Sequence, residues 1–129
     1  MEKEILQTLN EIRGILFALT SLVSVVLLVW VVHWVSSIYA NFKKAWENSF
    51  INTAEKYFEK AEFEKLVIYC EERLTNFPNH SNAIWWLARA KQEIGQITEA
   101  KALFDRLLEL EPGWKETHIE PYIKKLAND

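Results

Sequence analysis

The sequence predicts an all-α protein in which a single amino-terminal transmembrane helix is followed by a small domain of helical hairpins and a carboxyl-terminal capping helix. Three observations predict it. Residues 15–38, ILFALTSLVSVVLLVWVVHWVSSI, run for 24 positions without an Asp, Glu, Lys or Arg. From residue 47 onward, apolar residues recur at helical spacing, with turn signals about every fifteen residues. Only three glycines and three prolines interrupt the 129 residues, and strand-like alternation is sustained nowhere.

As a helix rising about 1.5 Å per residue, residues 15–38 are roughly 36 Å long, enough to cross a hydrocarbon core of about 30 Å with some tilt. Fifteen of them are Leu, Ile, Val or Phe, each favouring the centre of a span by about 0.3 to 0.6 kcal/mol. A buried core helix is the competing reading, but a remainder of about 90 residues could hardly wrap a helix apolar on every side. A cleaved signal peptide fits poorly too. Its apolar region runs about 7 to 15 residues behind a basic leader, whereas Met1 to Arg13 carries Glu2, Glu4 and Glu11 against Lys3 and Arg13. The segment reads as a retained anchor, making this a single-pass membrane protein with the lipid bilayer as one partner.

Residues 1–14 form an amphipathic leader, with Ile5, Leu6, Leu9 and Ile12 at helical spacing; it lies along the membrane surface or extends the span as one helix. Gly14, Ala18 and Ser21 fall at i, i+4 and i+7, a stripe of small residues on which another transmembrane helix can pack closely. At the other end Trp30, Trp34 and Tyr39, with Lys43 and Lys44 just beyond, read as a membrane-interface belt running into an interfacial linker, residues 39–46. His33, alone in that belt, reads as structural. Lys43, Lys44, Lys56 and Lys60 outnumber Lys3 and Arg13, which favours a cytoplasmic carboxyl-terminal domain.

Composition excludes several classes of function. The net charge of −3 is dispersed, so no basic footprint points to nucleic acid. One cysteine, Cys70, rules out an internal disulfide framework and, without a His or Asp companion at motif spacing, reads as a small core residue. His33, His80 and His118 are isolated, no glycine-rich phosphate loop occurs, and Glu71 and Glu72 sit in a charged helical run. The chain therefore reads as no enzyme, with no catalytic residues, no metal, no cofactor and no small-molecule substrate.

Residues 81–114, SNAIWWLARAKQEIGQITEAKALFDRLLELEPGW, contain an αα-hairpin by their own chemistry. Ala88 and Ala100 are small where two antiparallel helices cross, Leu87, Ile94, Leu103, Phe104 and Leu107 supply apolar faces, Gly95 accepts a left-handed turn, and Pro112 stops the second helix. The 34-residue length and the places of Ile84, Leu87, Ala88, Gly95, Ala100, Phe104 and Pro112 resemble a tetratricopeptide repeat. Shifting back by the same period gives a degenerate copy at residues 47–80. There Pro78 matches Pro112, Ala54 matches Ala88 and Ala61 stands opposite Gly95, while Leu66 and Cys70 depart from the pattern at Ala100 and Phe104. Residues 115–129 are too short for another hairpin; Ile119, Tyr122, Ile123 and Leu126 form the face of a cap, with the helix restarting near Glu120 because of Pro121. The domain thus spans 47–129.

What the resemblance implies is binding, since the first helices of successive tetratricopeptide repeats line a groove for a partner segment. The groove-facing candidates are Asn48, Ile51, Glu55, Phe58, Trp85, Arg89 and Gln92. Relatives that clamp the carboxylate tails of chaperones use Lys and Asn at several of these places; Ile51, Glu55 and Trp86 stand here, so that clamp is absent. A groove with Phe58 and Trp85 takes an apolar segment, with Arg89 offering one charged contact. Trp85 and Trp86 are neighbours, so one is expected inward and the other outward. Two functions follow: a membrane-tethered adaptor or assembly factor mediating protein–protein interaction, or a small accessory subunit of a multi-subunit membrane complex, such as a transporter, respiratory or secretion assembly, whose partners include other integral membrane subunits.

Overall fold

A computed structural model of the protein describes residues 1–128; position 129, the last of the expected cap, lies outside them. Every regular element among the described residues is helical. The chain divides into two units, Met1–Trp46 and a second that begins at Glu47.

The first unit is helical almost from its first residue. Helix α1 spans Glu2–Glu59, so residues 1–14, 15–38 and 39–46 share one unbroken helix. Of the two arrangements expected for the leader, continuation of the helix is the one observed. Among the described residues α1 is the one helix long and apolar enough to cross a membrane. Leu22, Val25, Leu28 and Val32 are all exposed. Three hydroxyls in this stretch bond back into their own helix: Thr20 Oγ1 donates to the Leu16 carbonyl at 2.8 Å, Ser21 Oγ to Phe17 at 2.9 Å and Ser24 Oγ to Thr20 at 2.8 Å. Such bonds remove most of the cost of placing a hydroxyl in an apolar medium.

The second unit contains the end of α1 from Glu47, then α2 (Phe63–Asn76), α3 (Ser81–Ile94), α4 (Ile97–Leu110) and α5 (Glu120–Asn128). Helix α3 is central because it has two apolar faces. Ala83, Trp86, Leu87 and Ala90 meet Phe50 and Ala54 of α1 and Leu66 and Cys70 of α2. Ile84 and Ala88 meet Ala100, Phe104 and Leu107 of α4 together with Ile119 and Leu126. Five alanines in these clusters, Ala54, Ala83, Ala88, Ala90 and Ala100, have no exposed surface, and their small side chains let the helices approach closely.

The two hairpins close with the same hydrogen bonds. Ala61 N–H donates to Phe58 and Glu62 N–H to Tyr57; 34 residues later Gly95 N–H donates to Gln92 and Gln96 N–H to Lys91. Both sets form the pair of backbone hydrogen bonds that ends a helix in a left-handed residue. That residue is Gly95 at φ 89° in the second hairpin and Ala61 at φ 55° in the first. The same shift relates Leu66 N–H to Glu62 with Ala100 N–H to Gln96, and Phe77 N–H to Arg73 with Glu111 N–H to Leu107. Buried positions follow it too: Phe50 and Ile84, Ala54 and Ala88, Leu66 and Ala100, Cys70 and Phe104. The departures at Leu66 and Cys70 are a size exchange. A large then a small residue stands in α2 where α4 has Ala100 then Phe104, one turn apart, so the total volume filled is similar.

Helix α3 starts at a side-chain cap. Ala83 N–H donates to His80 Nδ1 at 3.0 Å, which leaves Nε2 to carry the proton and donate it to Glu47 Oε2 at 2.7 Å. Asn82 Nδ2 donates to the other oxygen of Glu47 at 2.6 Å, so one carboxylate of α1 ties down the start of α3. Beyond α4 the chain makes a 3₁₀ turn, Pro112–Trp114, and a π-helical turn, Lys115–Ile119, before α5. The wide turn has a local reason. Pro121 lacks an N–H and its ring crowds the carbonyl four residues back, and a π turn just ahead of it changes that spacing. Ile119 and Leu126 are buried, and Tyr122 and Ile123 pack against the same cluster.

Candidate partner-binding face

The side chain with the most unusual surroundings is Arg89, in the middle of α3. Its guanidinium carbon lies 4.1 Å from the ring centre of Phe58, 5.0 Å from Trp86, 5.1 Å from Tyr122 and 5.7 Å from Trp85. These rings come from α1, α3 and α5. Each is within the roughly 6 Å over which a ring quadrupole attracts a cation. Arg89 is half-buried, and its Nε, with no exposed surface, has no hydrogen-bond acceptor. One turn later Gln92 Nε2 is in the same condition. Residues three apart on a helix share a face, so two unsatisfied donors stand together.

The rings around Arg89 brace one another. Phe58 meets Phe63 edge-on at 5.3 Å and Trp86 at 5.8 Å. Trp85 meets Tyr122 edge-on at 5.0 Å and Phe104 at 5.9 Å, while Phe104 and Tyr122 stack at 5.9 Å. The expectation that one tryptophan points inward and the other outward does not hold in that simple form. Trp86 is 8% exposed and Trp85 is half-buried. Successive residues on a helix point about 100° apart, and α3 has a neighbour in both directions, so Trp86 reaches α1 while Trp85 reaches α4 and α5.

Of the expected groove residues, the structure thus gathers Phe58, Trp85, Arg89 and Gln92 into one neighbourhood. Ile51 is half-buried and packs on the core formed with α2 and α3. Asn48 and Glu55 are exposed and take no part in the ring contacts. Two residues not expected here, Trp86 and Tyr122, complete the surroundings of Arg89. Tyr122 was legible only as a cap residue, because nothing local relates it to a residue 33 positions earlier.

In the first unit Gly14, Ala18 and Ser21 are exposed, and a Cβ added at Gly14 meets no atom within 4 Å. Trp30, Trp34, Tyr39, Lys43 and Lys44 are likewise exposed.

Cys70 is fully buried, and burial pushes its thiol up from 9.0 to about 12, with Glu71 adding to the rise and Arg73 opposing it. A thiol in that state is not a nucleophile near neutral pH. Among the described residues no group of three His, Cys, Asp or Glu side chains is placed to hold a metal ion.

Neither a scan against protein-family models nor a search of curated proteins finds a match to this chain.

Proposed function

We propose that the chain is a single-pass membrane protein whose residues 15–38 anchor a short tetratricopeptide-like stack, and that the stack holds a protein partner at the membrane surface as an adaptor or assembly factor. The observation that carries this reading is the recurrence of turn bonds and buried positions at a spacing of 34 residues, the length of the tetratricopeptide unit. The anchor reading is supported by an apolar helical stretch with no protein covering it. In water that much exposed apolar surface would drive association; in lipid it needs no partner. The lysine excess on the domain side, Lys43, Lys44, Lys56 and Lys60, supports a cytoplasmic domain.

A second reading, an accessory subunit held mainly through its span, is favoured by the open space beside Gly14 on the small-residue stripe and by the shortness of the stack. Extraction from native membranes in mild detergent separates the two. The adaptor should leave with a soluble partner that is lost when Trp85, in the gathered face, is changed to Ala in a chain whose helical content is unchanged. A subunit should co-migrate with integral proteins and lose them when Gly14 or Ala18 is changed to Leu. Recovery of the chain alone by every route would contradict both.

A further inference from the structure

We infer that Arg89 and Gln92 form a reading point for a single carboxylate, and that the partner segment presents an Asp or Glu side chain to it. The inference rests on the partner-binding reading above and specifies its chemistry.

A buried donor without an acceptor costs free energy, so native structures rarely leave one unless something else fills the role. Here Arg89 Nε and Gln92 Nε2 are two such donors, one turn apart on one helix. The guanidinium also carries a positive charge. No carboxylate lies within ion-pair distance of it among the described residues, whereas Lys91, two residues on, has Glu99 at 2.9 Å. The rings of Phe58, Trp86, Tyr122 and Trp85 surround it, but a ring face is at best a weak acceptor for an N–H and carries no compensating charge. Nε, on one edge of the guanidinium, is therefore the donor left unsatisfied.

The ligand that matches one fixed cationic fork and an adjacent amide donor is a planar group with two acceptor oxygens and one negative charge. A carboxylate meets that description. A phosphate monoester, with about twice the charge at neutral pH, would be left half-neutralised by one arginine. The apolar rings around the fork suit a segment that carries its acid between apolar residues. Both donors lie beneath the surface, so engagement goes with the side-chain rotamer adjustment common at interfaces. The arrangement differs from the lysine- and asparagine-based clamp of tetratricopeptide relatives, which this chain lacks.

The test uses the full chain in lipid nanodiscs, selected against short random peptides displayed on phage, with empty nanodiscs as the control. The strongest enriched peptide is then synthesised with its acidic residue and with the matching amide. The expected result is a shared Asp or Glu among the enriched sequences and a loss of about tenfold or more in affinity when acid becomes amide, the scale of a charge-assisted hydrogen bond. That discrimination should vanish in Arg89→Met and fall about threefold or more in Gln92→Leu. If Arg89→Met does not fold, the acid-to-amide comparison on the unaltered protein and on Gln92→Leu decides the matter. Enriched peptides without an acidic residue, or an amide penalty equally large in the variants, overturns the carboxylate inference and leaves the binding face standing. No enrichment over empty nanodiscs overturns both.

Discussion

The left-handed turns at Ala61 and Gly95 give a paired prediction of opposite sign. Both residues close a helical hairpin with positive φ, 55° and 89°, and a Cβ built on Gly95 meets nothing within 4 Å. The cost of a side chain there is therefore purely one of backbone conformation. For an L-residue the left-handed region costs about 1 to 2 kcal/mol, and replacing Gly by Ala returns about 0.4 to 1 kcal/mol through the unfolded chain. Gly95→Ala should thus destabilise the helical domain by about 1 kcal/mol, and Ala61→Gly should stabilise it by up to a similar amount. For a domain of this size each kcal/mol corresponds to roughly 4 to 8 °C in Tm. Thermal unfolding of the full chain in micelles, followed by tryptophan fluorescence, reads the shift, because Trp85 and Trp86 both lie in the folded core region. A neutral Gly95→Ala, or an Ala61→Gly that lowers stability, would refute the equivalence of the two turns and the two-hairpin reading with it.

Other expectations follow from burial and bonding. Phe104 has no exposed surface and contacts Trp85 and Tyr122, so Phe104→Ala should cost about 3 to 5 kcal/mol, visible as rapid proteolysis of the domain under conditions that leave the parent intact. The Cys70 thiol is raised from 9.0 to about 12, so its contribution to stability is fully present below about pH 9 and is lost as pH rises toward 12. The loss runs at up to about 1.4 kcal/mol per pH unit, and Cys70→Ala should flatten that part of the alkaline stability curve; an unchanged slope would contradict the burial argument. His80→Ala removes the cap on Ala83 and the bond to Glu47, which should cost about 1 to 2 kcal/mol in denaturant titration.

What the sequence made legible were features written locally. A run without charge from Ile15 to Ile38 needs no tertiary knowledge to mark an apolar helix, and Gly95 and Pro112 end their helices through their own backbone chemistry. Relations between elements were not legible in the same way. Only the 34-residue period sets Ala61 opposite Gly95, and no propensity says that an alanine will adopt positive φ. The exchange of large and small residues between Leu66 and Cys70 on one side and Ala100 and Phe104 on the other looked like a departure from pattern, and only packing shows it to be volume-conserving. The surroundings of Arg89 are half visible: Phe58 and Trp85 share its expected face by spacing, but Tyr122 arrives from α5 after a π turn, Lys115–Ile119, just ahead of Pro121. Trp85 also serves the core more than a groove residue needs to, because α5 folds back over it.

Everything proposed about function depends on residues 15–38 lying in lipid. Alkaline carbonate extraction of membranes from cells making the full chain tests this most directly. The chain should remain in the membrane pellet and enter solution only with detergent; release into the carbonate supernatant would contradict the anchor and every role built on it.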